Sequence, residues 1–283
     1  MQAYQLNPGG QQWGVLNLKN KNIKAIAFDM DGTLLTDAKE VSQRTRRCFE
    51  VLKKKGISLI LATGRSFEAL GPYKKDLNLN YPVICYNGAQ ILNQNGEIIR
   101  NHLVSDAHSK YLIDFARKEG VHIQIYRDGK LYFEKRSPEA EFYENHVSLE
   151  GTIVNFDTLN PLNFTKIMYV GDHQYLAGLE MQLKDYFKKD MAIMFSNPMF
   201  LEIMDGLASK GNALLEVAEH LGIEISNIMA FGDGDNDLSM IETAEIGVAM
   251  ENATPDVKAV ANAITLSNNA EGVAEYLEEF FGL

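Results

Sequence analysis

The stretch AFDMDGTLLTD, residues 27–37, carries two aspartates, Asp29 and Asp31, directly after the apolar run of residues 23–28. Because side chains alternate along a strand, both carboxylates would lie on the same side of the chain. Two carboxylates held this close repel each other, and one of them tends to keep its proton. A bound cation would relieve the repulsion, so we expect a metal-assisted site at the end of this strand.

Short apolar strands and helices alternate on both sides of this stretch. Such alternation is typical of a parallel sheet whose strands are joined by right-handed crossovers. The apolar runs and the three- and four-residue spacing of apolar side chains predict the elements. Strands are predicted at residues 23–28, 57–62, 82–86, 228–231 and 246–249, and helices at residues 41–55, 66–79, 212–221, 238–244, 255–261 and 272–280.

The pattern changes in the middle of the chain. Asn95-Gly96 and Asp128-Gly129 each lie between strand-like segments, and both dipeptides are typical of tight hairpin turns. This region is therefore predicted to be an antiparallel α+β structure. Its helices are predicted at residues 111–119 and 175–187, and its strands at residues 166–170, 191–195 and 200–204.

The domain organisation follows from these two patterns. A chain of 283 residues is long for one hydrophobic core. We predict an α/β protein in which a parallel-sheet core, residues 23–87 and 206–283, carries an inserted α+β domain, residues 88–205. Residues 1–22 are rich in Gln, Asn and Gly and lack the pattern of a secretory signal, so we interpret them as an N-terminal extension.

Composition excludes several classes of protein. The net charge of −11 argues against nucleic-acid binding and against an anionic membrane surface. No apolar run is long enough to span a membrane. The two cysteines, Cys48 and Cys85, are too few for a disulfide framework and suit buried thiols in a reducing compartment. We therefore expect a cytoplasmic protein, monomeric or weakly homo-oligomeric, without nucleic-acid or membrane partners.

A second acidic cluster, Gly232-Asp233-Gly234-Asp235-Asn236-Asp237, follows the predicted strand 228–231. The carboxyl ends of parallel strands share one crevice, so Asp29, Asp31 and Asp233 can converge although they are distant in sequence. Three hard oxygen ligands with room for water suit Mg²⁺.

The aspartates have two other interpretations. Asp233, Asp235 and Asp237 occupy positions one, three and five of an EF-hand loop, but Leu238 and Ala244 stand where that loop needs Gly and Glu. The flanking strands also argue against an EF-hand. The aspartates could instead cap helices and form turns. This structural role is favoured for Asp235 and for Asp37 taken alone, but not for the pair at the first strand end.

Two further segments carry candidate anion-binding groups. Thr63-Gly64-Arg65 closes the second predicted strand and opens a helix, where a hydroxyl and free backbone N–H groups can hold an anion. Taken alone, a strand-end Thr-Gly is usually a turn. Lys210 stands immediately before a predicted helix. Taken alone it would be a solvated surface lysine, but beside carboxylates and a phosphate it would supply a counter-charge.

Together these segments resemble the four motifs of the haloacid dehalogenase-like phosphohydrolases, and most closely the Cof-type group with a large α/β cap. The motifs are Asp29-Met30-Asp31-Gly32-Thr33, Thr63-Gly64-Arg65, Lys210-Gly211 and Gly232–Asp237, in that order. The middle insertion falls between the second and third motifs, where this group carries its cap. The resemblance covers the chain from about residue 23 and implies a Rossmann-like core.

The resemblance implies a role for each motif residue. Asp29 would be the nucleophile that forms an aspartyl-phosphate, and Asp31 the proton donor and acceptor. Mg²⁺ would be held by the Asp29 carboxylate, the Asp31 backbone carbonyl and Asp233. Thr63 and the Gly64 N–H would bind phosphoryl oxygens.

The third and fourth motifs would complete the phosphate pocket. Lys210 would bridge the phosphate and the nucleophile. Asn236 would hydrogen-bond the phosphoryl group, and Asp237 would orient Lys210 or a metal-bound water. In the insertion, Tyr126 and Arg127 are candidates to face a ligand, although a position beside a hairpin favours the core or rim for Tyr126.

The implied function is Mg²⁺-dependent hydrolysis of small soluble phosphate monoesters, such as sugar phosphates or phosphorylated cofactors. Two alternatives remain open at this point: a phosphomutase, which would keep both aspartates, and a non-catalytic ligand-binding or regulatory protein on the same fold. The presence of every proposed catalytic residue argues against the non-catalytic alternative.

Overall fold

The structure is a computed structural model that describes residues 18, 21–71, 73, 77, 82–93, 95–147 and 149–283. The predicted extension, residues 1–22, lies outside the described residues except at positions 18, 21 and 22. The chain forms two compact units. Unit 1 comprises the described residues up to Arg65, those within Ala69–Ile98, and Ser209–Leu283. Unit 2 comprises Ser66–Glu68 and Ile99–Ala208.

A mixed, mostly parallel sheet forms the centre of unit 1, to which its edge strand at residues 98–101 contributes only Ile98. Its strand order is β14-β13-β12-β1-β2-β3-β4-β5. The strands are β1 (Ala25–Phe28), β2 (Ser58–Ala62), β3 (Val83–Cys85), β4 (Gln90–Leu92), β5 (Ile98–Asn101), β12 (Ile228–Gly232), β13 (Ile246–Ala249) and β14 (Ala263–Ile264). The helices of this unit are α1 (Gln43–Lys54), α5 (Lys210–Leu221), α6 (Leu238–Thr243), α7 (Pro255–Val260) and α8 (Gly272–Phe281).

The central strands are buried along their whole length, which explains their continuous apolar sequences. All four residues of β1 and all five of β12 are buried. Strands covered on both faces by helices need apolar side chains in both directions. Phe28 of β1 stacks on Phe231 of β12 with ring centroids 5.3 Å apart and also packs on Phe49 of α1 at 4.9 Å.

Capping side chains set the starts of the helices that follow the strands. Ser42 begins α1 by accepting the N–H of Thr45, and Ser209 begins α5 by accepting the N–H of Asn212. A serine hydroxyl at this position satisfies a backbone donor that has no partner within the helix. The Ser209 cap places Lys210 in the first turn of α5.

Unit 2 is an antiparallel-rich sheet covered by helices. Its strand order is β10-β11-β9-β6-β7-β8, and every neighbouring pair is antiparallel except β7 and β8. The elements are α2 (Asp106–Glu119), β6 (His122–Arg127), β7 (Lys130–Phe133), α3 (Pro138–Val147), β8 (Thr152–Ile153), β9 (Lys166–Val170), α4 (His173–Phe187), β10 (Met191–Asn197) and β11 (Phe200–Asp205).

This unit has a hydrophobic core of its own. Helices α2 and α4 contribute buried leucines such as Leu112 and Leu179, and the sheet contributes residues such as Ile125 and Leu201. The Asp128-Gly129 turn joins β6 to β7, with positive φ at both residues, so the predicted hairpin is confirmed.

The predicted fold class, α/β with a parallel-rich core sheet, is confirmed. Two details differ from the sequence-based expectation. After Gly88 the chain stays in the large sheet through β4 and β5, because the turn at Asn95-Gly96 folds the segment back as a hairpin. In the predicted helix 66–79, Glu68–Leu70 forms a short 3₁₀ turn, and part of the remainder lies outside the described residues.

Tyr126, a candidate ligand contact, is buried, and its hydroxyl lies 2.7 Å from that of Tyr143. Arg127 donates to the Pro161 carbonyl at 2.9 Å. Within the described part of the chain, every helix is too short or too polar to cross a lipid bilayer.

Candidate active site

The register of three neighbouring strands brings the first, second and fourth motifs to one edge of the unit 1 sheet. Phe28 pairs with Phe231 on one side and with Leu61 on the other. The residues that follow these strands therefore leave the sheet side by side. The N–H of Asp29 donates to the Phe231 carbonyl at 3.0 Å, which fixes the first aspartate to the strand that precedes Asp233.

Lys210 is the centre of the charged network. Its side chain is fully buried, and its ammonium group donates to Asp29 and, at 2.6 Å, to Oδ1 of Asp237. Oδ2 of Asp237 accepts the N–H groups of Asp233 and Gly234 at 2.9 and 3.0 Å. Asp237 therefore fixes both the lysine and the loop of the fourth motif.

Burial and crowding shift the pKa values in this network. Burial, together with the negative charge of Asp237, holds the pKa of Asp29 well above its usual range, against the opposing effect of Lys210. Burial also raises the pKa of Asp233 to about 6. Burial alone would lower the pKa of Lys210, but the carboxylates of Asp237 and Asp29 raise it above its ordinary value. Lys210 donates to Asp29 and Asp237 but not to Asp233, so this group of three carboxylates carries more negative than positive charge.

Asp31 lies in a different electrostatic setting from Asp29. Nε and Nη2 of Arg65 donate to its two oxygens, each at 2.7 Å, and Nζ of Lys39 donates to Oδ1 at 2.8 Å. Burial alone would raise the pKa of Asp31, but these hydrogen bonds and charges hold it below its ordinary value. The two neighbouring aspartates of the first motif therefore differ in protonation tendency.

The carboxylates form a group that fits a hard divalent cation. Oxygens of Asp29, Asp233 and Asp237 lie within 4.8 Å of one another. Asp237 is occupied by Lys210 and two backbone N–H groups, so Asp29 and Asp233 are the better ligands. A side chain at Gly32 would place a Cβ 2.2 Å from Oδ2 of Asp233, so only glycine lets this carboxylate approach the first motif. An all-oxygen donor set with excess negative charge suits Mg²⁺.

The polar groups of the second and fourth motifs lie beside the carboxylates. Thr63 is buried, and its Oγ1 accepts the N–H of Arg65 at 3.1 Å, which leaves the hydroxyl hydrogen for another acceptor. Nδ2 of Asn236 donates to Oδ1 of Asn87 at 2.9 Å. A Cβ at Gly64 would lie 3.0 Å from that same Asn87 oxygen. These groups offer hydrogen-bond donors to an anion.

Several residues of the network were not predicted from the sequence. Besides Asn87, they include Lys39 and Arg65 as partners of Asp31, and Asn252, whose Nδ2 donates to the Gly32 carbonyl at 2.8 Å. The dipeptide Asn87-Gly88 is of a type that favours a turn, which could have drawn attention to Asn87. The contacts of Lys39 and Asn252 depend on how loops pack, which residue spacing does not reveal.

Two acidic residues, for which a structural role as caps or in turns was favoured, instead make side-chain hydrogen bonds to residues distant in sequence. Asp37 accepts hydrogen bonds from Asn268 and Asn269, and Asp235 accepts the hydroxyl of Thr254 at 2.8 Å. Both carboxylates stabilise loops.

Comparison with known proteins adds independent information. The family model for haloacid dehalogenase-like hydrolases matches residues 26–277. YxeH of Bacillus subtilis strain 168 is 35% identical over 276 residues, which cover 90% of this chain and 97% of YxeH. YcsE of the same strain, named as a 5-amino-6-(5-phospho-D-ribitylamino)uracil phosphatase, is 30% identical over 259 residues, covering 92% of this chain and 96% of YcsE.

A solved structure has a similar fold over nearly the whole chain. The crystal structure of a haloacid dehalogenase-like hydrolase from Bacteroides thetaiotaomicron superposes with a TM-score of 0.81 and 31% identity. The match covers 92% of this chain and 100% of that one, so it includes both the sheet of the candidate site and the inserted region.

Proposed function

Because the chain belongs to the haloacid dehalogenase-like hydrolases and is a phosphatase, we propose that it hydrolyses small phosphate monoesters through an aspartyl-phosphate on Asp29. The observation that carries this proposal is the buried contact between Asp29 and Lys210 at the edge of the sheet. A carboxylate fixed in this way is oriented for attack, and the ammonium group can contact both the nucleophile and a phosphoryl oxygen.

In the first step, a carboxylate oxygen of Asp29 forms a bond to phosphorus while the bond to the leaving alkoxide oxygen breaks. Lys210 lowers the pKa of Asp29, in opposition to burial and Asp237, which raise it, and so favours the ionised form that attacks. Asp31 separates from Arg65 and Lys39, takes up a proton from water and gives that proton to the leaving oxygen. The alcohol then departs, and the phosphoryl group remains on Asp29.

In the second step, water attacks phosphorus and releases free phosphate from Asp29. Asp31 takes a proton from that water. Its lowered pKa in the contacts with Arg65 and Lys39 keeps it ionised and able to accept the proton. The arrangement described above therefore supports the base role of Asp31 directly.

The remaining polar groups bind the phosphoryl oxygens in this proposal. The Thr63 hydroxyl, the Gly64 N–H and the Asn236 amide supply hydrogen bonds, and Lys210 supplies positive charge. Asp29, the Asp31 backbone carbonyl and Asp233 would hold Mg²⁺. When bound, the ion supplies Lewis-acid neutralisation of phosphoryl charge, which lets an anion approach an anion.

We further propose that the substrates are small phosphorylated metabolites, such as sugar phosphates or phosphorylated cofactors. The name of YcsE, a phosphatase for a phosphorylated ribityl compound, supports this class. We place the activity in the cytoplasm, since both cysteines, Cys48 and Cys85, are buried thiols outside any disulfide, which suits a reducing compartment.

The test is release of phosphate from p-nitrophenyl phosphate with Mg²⁺ and with EDTA. Wild-type protein should turn over only with the metal. Asp29→Asn should lower kcat by more than about 10³-fold, because an amide is not a nucleophile for phosphorus. Its melting temperature should stay close to that of wild type, because Asn retains a hydrogen-bond acceptor for Lys210. Near-normal turnover by this variant in a pure preparation would refute the mechanism.

A further inference from the structure

Asn87 links two separate parts of the candidate phosphate pocket. Its side chain is buried, and its Oδ1 accepts Nδ2 of Asn236 at 2.9 Å. Its own N–H donates to the Thr63 carbonyl at 3.0 Å. The residue therefore contacts the backbone of the second motif and the side chain of the fourth motif at the same time.

The position of Asn87 in the sheet makes this link unusual. Asn87 follows β3, whereas Asn236 follows β12, and β1 and β2 lie between these two strands. The chain reaches across because Tyr86, Asn87 and Gly88 all have positive φ, at 49°, 53° and 104°. A left-handed conformation is uncommon for residues other than glycine, although asparagine tolerates it better than most. Three consecutive residues with positive φ thus bring the side-chain amide of Asn87 to Asn236, on the far side of the pocket.

The contact also restricts the adjacent glycine. A Cβ at position 64 would lie 3.0 Å from Oδ1 and 3.2 Å from Nδ2 of Asn87. The Asn87 amide therefore lies directly against Gly64, whose N–H is a proposed phosphoryl ligand. A side chain at position 64 would displace this amide.

We propose that Asn87 is a positioning residue for the phosphoryl group, acting through Asn236. This inference rests on the proposed function. The amide of Asn236 has two N–H bonds and one oxygen. When Asn87 accepts one N–H, the orientation of the amide is fixed and the second N–H is available to a phosphoryl oxygen. Without Asn87, the amide can rotate and turn its oxygen, which repels an anion, toward the phosphate.

The variants are chosen to keep the backbone of the loop. Asn87→Gly removes the side chain, and glycine adopts positive φ without strain. Asn236→Ala removes the group through which Asn87 acts. The double variant completes a mutant cycle, in which coupled residues give non-additive losses. Asn87→Ala, made in both backgrounds, repeats the test without the added chain freedom of glycine. Melting temperatures establish that each variant is folded.

The readout is calorimetric binding of inorganic phosphate in the presence of Mg²⁺, together with kcat and KM for p-nitrophenyl phosphate. Asn87→Gly should weaken phosphate binding by about tenfold, the effect of losing one hydrogen bond to a charged group. In the Asn236→Ala background the same change should have little further effect. A residue that only stabilises the loop would give equal losses in both backgrounds.

The outcomes separate this inference from the proposed function. Wild-type turnover combined with additive losses, or with unchanged phosphate binding in Asn87→Gly, overturns the role of Asn87 and leaves the phosphatase proposal intact. Absence of wild-type turnover, combined with non-additive losses in phosphate binding, overturns the phosphatase proposal and supports the role of Asn87. A wild-type protein that binds no phosphate overturns the inference.

Discussion

At the scale of single residues, the stability of the candidate site depends on the compensation of buried carboxylate charge by Lys210. Lys210 is fully buried and donates to both Asp29 and Asp237. Removing one partner of a buried ion pair leaves a charge without compensation, which costs more than the pair itself contributes. Here the loss of one side chain leaves two buried carboxylates without their cation.

We therefore predict that Lys210→Met lowers kcat/KM for p-nitrophenyl phosphate by more than about 10²-fold and destabilises the fold by about 3 kcal/mol. Lys210→Arg should not restore activity, because a planar guanidinium does not take the place of a compact ammonium between two carboxylates. Urea unfolding and steady-state kinetics check both parts. Full activity in Lys210→Arg would show that diffuse positive charge is sufficient.

A surface lysine provides the matched control. Lys110 is exposed and pairs with Asp114 at 3.0 Å along α2. Exposed pairs of this kind contribute about 0.3–0.5 kcal/mol. Lys110→Met should therefore leave activity unchanged and stability nearly so. A comparable loss in both variants would mean that removing any lysine has this effect.

Asp233 gives a prediction for pH. Its pKa in the folded, metal-free protein is about 6, and an unfolded chain has an aspartate pKa of about 3.9. Between these values the folded state holds a proton that the unfolded state has released, so this group lowers stability as pH rises from about 4 to about 6. The Asp233→Asn variant has no carboxyl group at this position and so lacks this pH dependence. In EDTA, the melting temperature of the variant relative to that of wild type should rise by about 2–4 °C as the pH rises through this range.

Mg²⁺ should reverse this difference in melting temperature between Asp233→Asn and wild type. The ion favours the ionised form of Asp233 and so opposes the burial that raises its pKa. It should therefore raise the melting temperature of wild type at neutral pH and affect Asp233→Asn less. Protons and the ion compete for the same carboxylate, and the affinity for Mg²⁺ should fall as pH drops through about 6. An equal Mg²⁺ effect in both proteins would place the ion elsewhere.

At the scale of secondary-structure elements, the start of α5 depends on a close contact with the loop after β3. A Cβ at Gly88 would lie 2.2 Å from the carbonyl oxygen of Ser209, the residue that caps α5 and precedes Lys210. Gly88 also has φ of +104°. No other residue fits both the conformation and the space.

We predict that Gly88→Ala destabilises the protein by more than about 3 kcal/mol and lowers activity, because any relief of the clash moves the residue that precedes Lys210. Gly56→Ala is the matched control. Gly56 has φ of +78° with no atom near its Cβ position, so it tests conformational strain alone, at about 1–2 kcal/mol. Equal losses in the two variants, measured by urea unfolding, would contradict the role of the close contact.

The elements also show what the sequence could and could not predict. Strands β9 and β13 were predicted with their observed bounds, because continuous apolar runs mark buried strands clearly. Helix α3 was not predicted, since among its ten residues only Ala140 and Tyr143 are buried and the apolar spacing is weak. Tertiary packing stabilises such a helix more than its own sequence does.

At the scale of the whole molecule, the residues proposed for catalysis are distant from one another in the sequence. All of them nevertheless lie in the same structural unit. Asp29, Thr63, Lys210 and Asp233 all belong to unit 1. Their convergence was predictable because parallel strands end at one edge of a sheet. The hydrogen bonds from Arg65 and Lys39 to Asp31 were not predictable, since they depend on the paths of loops rather than on strand order.

Unit 2 contains none of the residues proposed for chemistry and has its own hydrophobic core. The resemblance to the capped group of this family implies that the inserted region supplies substrate specificity, and we expect the same of unit 2. We predict that replacing Ile99–Ala208 with the matching segment of YcsE changes which phosphate esters are used, with at least about a tenfold gain for the compound in the name of YcsE. Dependence on Mg²⁺ should be unchanged, because every proposed ligand remains in place.

A panel of phosphorylated metabolites, assayed by phosphate release with Mg²⁺ and with EDTA, measures this change. The chimera must first unfold cooperatively, and the chimera carrying Asp29→Asn must be inactive, so that turnover comes from the same site. A substrate profile identical to that of wild type would show that unit 1 alone determines specificity. Loss of the Mg²⁺ requirement would show that unit 2 contributes to the metal site. The predicted result, a changed profile with the same metal requirement, assigns chemistry to unit 1 and substrate choice to unit 2.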